Sequence, residues 1–209
     1  MADNYLENRM EELKASRPKI VRNHTSLDTL LKRNRSYRGY DAKTPVTREM
    51  LLEMVSVATL VPSGMNAQAL RFRLVPADEA HIIHPLVKLG AALPEEHLPH
   101  KGEEPQGYIV ICGARPEDKV LDIDLGIAAQ SILLKAVDMG LNGIVILNFN
   151  PAAVKEALNL TLEPLAIIGL GKGTERIFLM PAHQGNSLKY YRKDGVHYVP
   201  KLTPEDLIL

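Results

Sequence analysis

The 209-residue chain contains no tryptophan, only three phenylalanines and one cysteine. With 5% aromatic residues it lacks the rings needed for a base-stacking platform. Cys112 alone cannot form an internal disulfide, and a single thiol fits a reducing cytoplasm. Charge of one sign is also missing: Lys and Arg number 25 against 25 Asp and Glu. That balance leaves no basic footprint for nucleic acid or an anionic membrane surface. No apolar run approaches the roughly 20 residues that a membrane-spanning helix needs. Residues 1–14 are polar and mixed in charge, unlike a secretory signal. What is present is 45% hydrophobic content over a length that suits one domain with a full core.

Periodicity predicts the elements. Leu6, Met10 and Leu13 recur at helical spacing in residues 4–15 before Arg17-Pro18, giving a helical extension over residues 1–26. A short helix from Ser26 or Leu27 to about Lys32 precedes a single domain over 27–209. Thr47 is a good N-cap for a helix reaching Leu60. Residues 71–75 alternate as a strand, and 77–89 read as a helix kinked at Pro85. Residues 90–106 form a long loop rich in Pro, Glu, His and Gly, a candidate lid over a pocket. A buried strand follows at 108–112. Residues 122–139 make the longest helix, apolar over more than one face and so central or interfacial, with Gly140 as its stop. Strands at 144–147, 165–170 and 177–180, a helix at 151–158 and a helical turn after Thr203 complete the reading. This irregular order favours α+β, with a mixed central sheet flanked by helices.

Two clusters carry chemistry. Arg35-Ser36-Tyr37-Arg38 places a hydroxyl between two guanidinium forks, a grip suited to phosphate. Some 25 residues on, the 62–68 segment Pro-Ser-Gly-Met-Asn-Ala-Gln is a turn of short hydrogen-bonding side chains, suited to the edge of a flat polar heterocycle. Together they point to a phosphorylated aromatic cofactor.

These motifs also resemble the paired signature of the FMN-dependent nitroreductase family. Asn34-Arg35-Ser36-Tyr37-Arg38 stands for its Arg-Arg-Ser-x-Arg, and 62–70 for its Pro-Ser-x-x-Asn-x-Gln-Pro-Trp. Asp124, Gly126 and Gln130 stand for the Asp-x-Gly-x-x-x-Gln that opens its long helix, which closes at Gly140-Leu141. The resemblance implies a homodimer of nitroreductase fold, its long central helix at the interface. FMN would be bound there, with NADH or NADPH as donor. Arg35, Ser36 and Arg38 would contact the ribityl phosphate and the pyrimidine edge. Pro62, Ser63 and Asn66 would pack on the flavin from the partner subunit, and Gly143 and Ile144 would line the ring through backbone groups. Lys201 would reach the phosphate from the tail. The implied reaction is ping-pong reduction of nitro-aromatics, quinones or related small electrophiles, with no side chain assigned as catalytic. The chain departs from the pattern at Asn34, at Ala69-Leu70 in place of Pro-Trp, and at Val199, where relatives often carry a second basic residue. A specialised reductase of one metabolite, or a flavin carrier or sensor with little turnover, are the alternatives.

Other motifs are set aside. Gly169, Gly171 and Gly173 precede a strand rather than the helix a dinucleotide fingerprint requires. His81, His84, His97 and His100 lack the Cys or carboxylate partners at defined spacing that a metal site needs. Cys112 sits mid-strand as an inert thiol, and no Ser-His-Asp pattern or nucleophile elbow is legible.

Overall fold

A computed structural model describes residues 25–209; the expected 4–15 helix lies outside them. Helix α1 (Leu27–Arg33) begins where the Ser26 hydroxyl accepts the Thr29 amide at 3.3 Å. Thr47 caps α2 (Arg48–Ser56) in the same way through the Met50 amide, also at 3.3 Å. The expected run to Leu60 finishes as a 3-10 turn over Val57–Thr59. Asp118 caps α3 (Lys119–Asp138), accepting from the Leu121 amide at 2.8 Å. Its far end is a Schellman closure: Gly140 takes φ +79°, and the Leu141 amide donates back to the Ala136 carbonyl at 2.8 Å.

The main sheet has the order β1 (Leu70–Val75), β2 (Gly107–Gly113), β4 (Glu163–Gly171) and β3 (Asn142–Ile146), every pair antiparallel. The parallel component comes from Ser36, which bridges to Gly143 on the outer side of β3. Every residue of β2 is buried, because both faces of the sheet are covered. Tyr108, Val110 and Cys112 point to a core shared with Ile83, Leu93, Leu98 and helix α4 (Pro151–Ala157). Ile109 and Ile111 point to the opposite core beneath α2 and α3. The fold is α+β, as the irregular order of elements implies.

Three expectations need correction. Residues 77–89 form two separate 3-10 turns, Ala80–Ile82 and His84–Leu86, rather than a kinked helix; Pro85 has no amide hydrogen with which to continue one. The 90–106 loop is fastened down: Leu93 and Leu98 are buried, and the Tyr40 amide donates to the Glu103 carbonyl at 3.0 Å. The tail is more ordered than expected. It forms a second sheet with β7 (Val196–Leu202) between β5 (Arg176–Ala182) and β6 (Tyr191–Lys193), before the short α5 (Pro204–Leu207). Asp194 and Gly195, both at positive φ, make the two-residue turn of its hairpin.

Close approach of α3 and β4 dictates a glycine at 143. A Cβ there would stand 2.6 Å from a Leu133 methyl and 2.8 Å from the Gly169 carbonyl oxygen, and the latter is backbone. Gly143→Ala is expected to cost about 1–3 kcal/mol by overpacking, read as a lower urea midpoint with an unchanged slope.

Candidate active site

The Arg35–Arg38 segment leaves α1 and runs along β3. The Ser36–Gly143 bridge holds it there, and the Tyr37 amide donates to the Gly143 carbonyl at 3.3 Å. Asn34 donates from its side chain to Gln130 on α3 at 3.3 Å, so this departure from the family pattern fastens the segment to the long helix. Arg35 donates to the Leu31 carbonyl at 2.6 Å, and burial draws its pKa down from the usual guanidinium range.

Arg38 is the most enclosed cation in the cluster, with 6% of its surface exposed. Its Nη1 donates to the Ser36 carbonyl at 2.8 Å and lies 3.4 Å from His197 Nε2. Its Cζ sits 4.6 Å from the centroid of the Tyr190 ring, a cation–π contact. Glu175 does not neutralise this guanidinium. One of its oxygens accepts the backbone amides of Arg38 and Gly39, and the other pairs with Arg192. Arg192 also reaches Glu96 at 3.4 Å, and the Tyr190 hydroxyl accepts the Ala92 amide at 3.2 Å. The 90–106 loop is thereby joined to the cluster.

Arg35, Ser36, Arg38, Tyr190, His197 and Lys201 share the wall of a cavity of about 310 Å³ that has no Asp or Glu in its lining. Val199 is also in that wall, leaving three basic side chains around the space. Burial, with Arg38 and Arg192 nearby, pushes His197 down to about 4, so it is neutral near pH 7. Three buried nitrogens of these residues, Arg35 Nε, Arg38 Nε and His197 Nδ1, have no hydrogen-bond partner among the described residues.

A second cavity, of about 330 Å³, is walled by Pro62, Ser63, Asn66, Gln68 and Asp124 among others. Its loop is strained: Met65, Asn66 and Gln68 all take positive φ, at 52°, 53° and 47°. Asp124 on α3 anchors the loop by accepting the Gly64 amide on Oδ1 at 2.8 Å. A Cβ at Gly64 would meet a Val120 methyl at 2.2 Å, so only glycine allows this approach. The other Asp124 oxygen, Oδ2, is buried with no partner among the described residues.

The nine sequence-predicted site residues thus fall into groups. Arg35, Ser36, Arg38 and Lys201 line one cavity; Pro62, Ser63 and Asn66 line the other, and no residue lines both. Gly143 adjoins the first cavity through its bridge to Ser36, whereas the Ile144 side chain packs in the core. Sequence reading missed Asp124 as a wall residue, and missed Tyr190, His197, Glu175 and Arg192. The Asp194-Gly195 hairpin signal could have located three of these four. Among the described residues no cluster of three or more His, Cys, Asp or Glu is placed to hold a metal. Cys112 is buried and its thiol is pushed up to about 11, so it is protonated at neutral pH.

A helix-flanked antiparallel sheet bearing a cation-walled pocket and a separate polar loop pocket defines an anion-binding α+β domain. The chain belongs to the nitroreductase family, whose model matches residues 31–172. It is 26% identical over 192 residues to YodC of Bacillus subtilis, which carries the name of an NAD(P)H nitroreductase; the match covers 76% of this chain and 93% of that one. A nitroreductase family protein from Clostridium difficile superposes with a TM-score of 0.57 at 25% identity, over 72% of this chain and 86% of the other. An FMN complex of a nitroreductase-type protein from Exiguobacterium sibiricum shares the fold. Its TM-score is 0.59 at 18% identity, covering 73% of this chain and 90% of that one.

The Glu175 carboxylate is 10% exposed and braces Arg192 together with two backbone amides. Glu175→Gln leaves Arg192 short of a partner and is expected to lose about 3 kcal/mol of stability, measured by urea unfolding.

Proposed function

We propose that this protein is an FMN-dependent oxidoreductase that draws electrons from NADH or NADPH. It passes them to nitro-aromatic, quinone or related small electrophilic acceptors. The observation that carries this reading is the surplus of donors in the first cavity: three basic side chains, three unpartnered buried nitrogens and no carboxylate in the wall. Buried donors need acceptors, and a phosphate monoester supplies several anionic oxygens at once. The residues present therefore fit the phosphate end of FMN. Arg35, Ser36, Arg38 and Lys201 are the residues that would hold it.

The second cavity suits the other end of the molecule. Ser63, Asn66 and Gln68 offer hydrogen-bonding groups to a heterocycle edge, and Asp124 Oδ2 offers a spare acceptor. Because no residue lines both cavities, one site is proposed to combine the first cavity of one copy with the Pro62, Ser63 and Asn66 loop of a second. Leu60, Met65 and Ile123, each more than half exposed in the single chain, are apolar surface suited to that contact. FMN, when bound, supplies the hydride chemistry, so no side chain is given a catalytic role. The chain's own task is to grip the phosphate, position the ring and place cations near its polar edge, where they favour the reduced, more negative form. Donor and acceptor would use the same space in turn, giving ping-pong kinetics. A reducing cytoplasm is the proposed compartment, on the single buried thiol of Cys112.

The names of relatives support the cofactor choice. NfnB of a Sphingopyxis strain (printed "sphigopyxis"), which shares the fold at 17% identity, is described as FMN- and NADPH-dependent. The test is an anaerobic absorption spectrum of the FMN-incubated protein before and after NADH or NADPH. Bleaching of the flavin band is the expected outcome. A bound flavin that neither nucleotide bleaches would favour a carrier or sensor. In the same assay format Arg38→Ala should weaken FMN binding roughly ten- to a hundredfold, as loss of a charge-assisted hydrogen bond requires.

A further inference from the structure

His197 sits inside the cation cluster, with 3% of its surface exposed. A guanidinium only donates hydrogen bonds, so the 3.4 Å contact with Arg38 Nη1 assigns the lone pair to Nε2 and the ring hydrogen to Nδ1. That Nδ1 has no acceptor among the described residues. The charged and titratable groups around the ring come from every neighbouring element. Arg38 contacts it, and Arg192 is its register partner on β6. The Tyr190 ring lies 5.1 Å away, and Arg35 and Lys201 stand in the same cavity wall. The nearest carboxylate of the network, Glu175, is already committed to Arg192 and two backbone amides.

We propose that His197 is a further binding residue of the anion pocket and takes up a proton when a phosphate dianion binds. The proposal rests on the reading of this cavity as a phosphate site. Protonation comes from solvent and places hydrogens on both ring nitrogens. The Nε2 lone pair is then gone, and Arg38 Nη1 is released to turn toward the anion. The charge that burial and two arginines disfavour on the ring becomes favourable beside a dianion. By linkage, a site that binds more protons in the complex than alone binds its ligand more tightly as pH falls. The window runs from the raised value in the complex down to about 4 in the free protein.

The experiment is titration calorimetry of the full chain with FMN near pH 6, in two buffers of different ionisation enthalpy. It compares wild type with His197→Gln, whose amide oxygen can accept from Arg38 but cannot titrate. The FMN phosphate changes protonation in the same range, and the variant carries that contribution alone. Wild type is expected to take up about half a proton more per FMN than H197Q. Its affinity should rise several-fold relative to H197Q as pH falls from about 7.5 to 5.5. Equal proton uptake in both proteins, with FMN bound, overturns the role of His197 and leaves the phosphate pocket intact. Failure of wild type to bind FMN overturns the pocket reading and the proposal with it. If H197Q does not fold, the His197 ring resonance in wild type decides: its titration midpoint must rise on FMN binding, and an unmoved midpoint contradicts the proposal.

Discussion

The burial of the Arg38 guanidinium is the constraint on which the rest of the site depends. A cation that has lost most of its water must be surrounded by dipoles, a ring face or a negative charge. Here the surroundings are the Ser36 carbonyl, the Tyr190 face and the neutral His197 ring, with no direct carboxylate. Each of these partners belongs to a different part of the chain. Ser36 is tied to β3 through Gly143, His197 lies on β7, and Tyr190 immediately precedes β6. The second sheet is thereby docked against the N-terminal motif by the same contacts that leave the arginine's charge uncompensated.

Glu175 makes this arrangement possible without cancelling it. Its two oxygens serve the backbone of Arg38 and Gly39 and the side chain of Arg192, bracing the segment while leaving the cavity wall free of negative charge. Placed against the Arg38 guanidinium instead, it would satisfy the cation internally and compete with an anionic ligand. The opposite end shows the complementary economy. Asp124 uses one oxygen to set the strained 62–68 loop and keeps the other unpaired. One cavity therefore has donors to spare and the other an acceptor, which is the polarity of a ligand with a phosphate at one end and a hydrogen-bonding heterocycle at the other.

Much of this was legible in the sequence where a local rule sufficed. Thr47 marked a helix start, Gly140 marked the end of the long helix, and the all-apolar 108–112 run marked a strand covered on both faces. The Arg-Ser-Tyr-Arg and Pro-Ser-Gly-Met-Asn clusters each gather at a cavity. What escaped depended on distance in the chain. Nothing local tells that His197 will meet Arg38, since their contact spans 159 positions. The same holds for Glu175, whose role depends on the docking of β5. The 77–89 stretch misled because its apolar spacing is helical, whereas Pro85 and the demands of the core divide it into two turns. The β6–β7 hairpin was readable from Asp194-Gly195 between alternating apolar residues, and with it the place of His197 beside the basic tail.

The most direct measurement of the central claim is a comparison of FMN and riboflavin affinities for the same protein, which differ only in the phosphate. If the uncompensated cations around Arg38 form a phosphate site, FMN binds at least about a hundredfold more tightly, from two or more charge-assisted hydrogen bonds. Equal affinities would contradict it, because the ring alone would then account for binding and the donor surplus would have some other purpose.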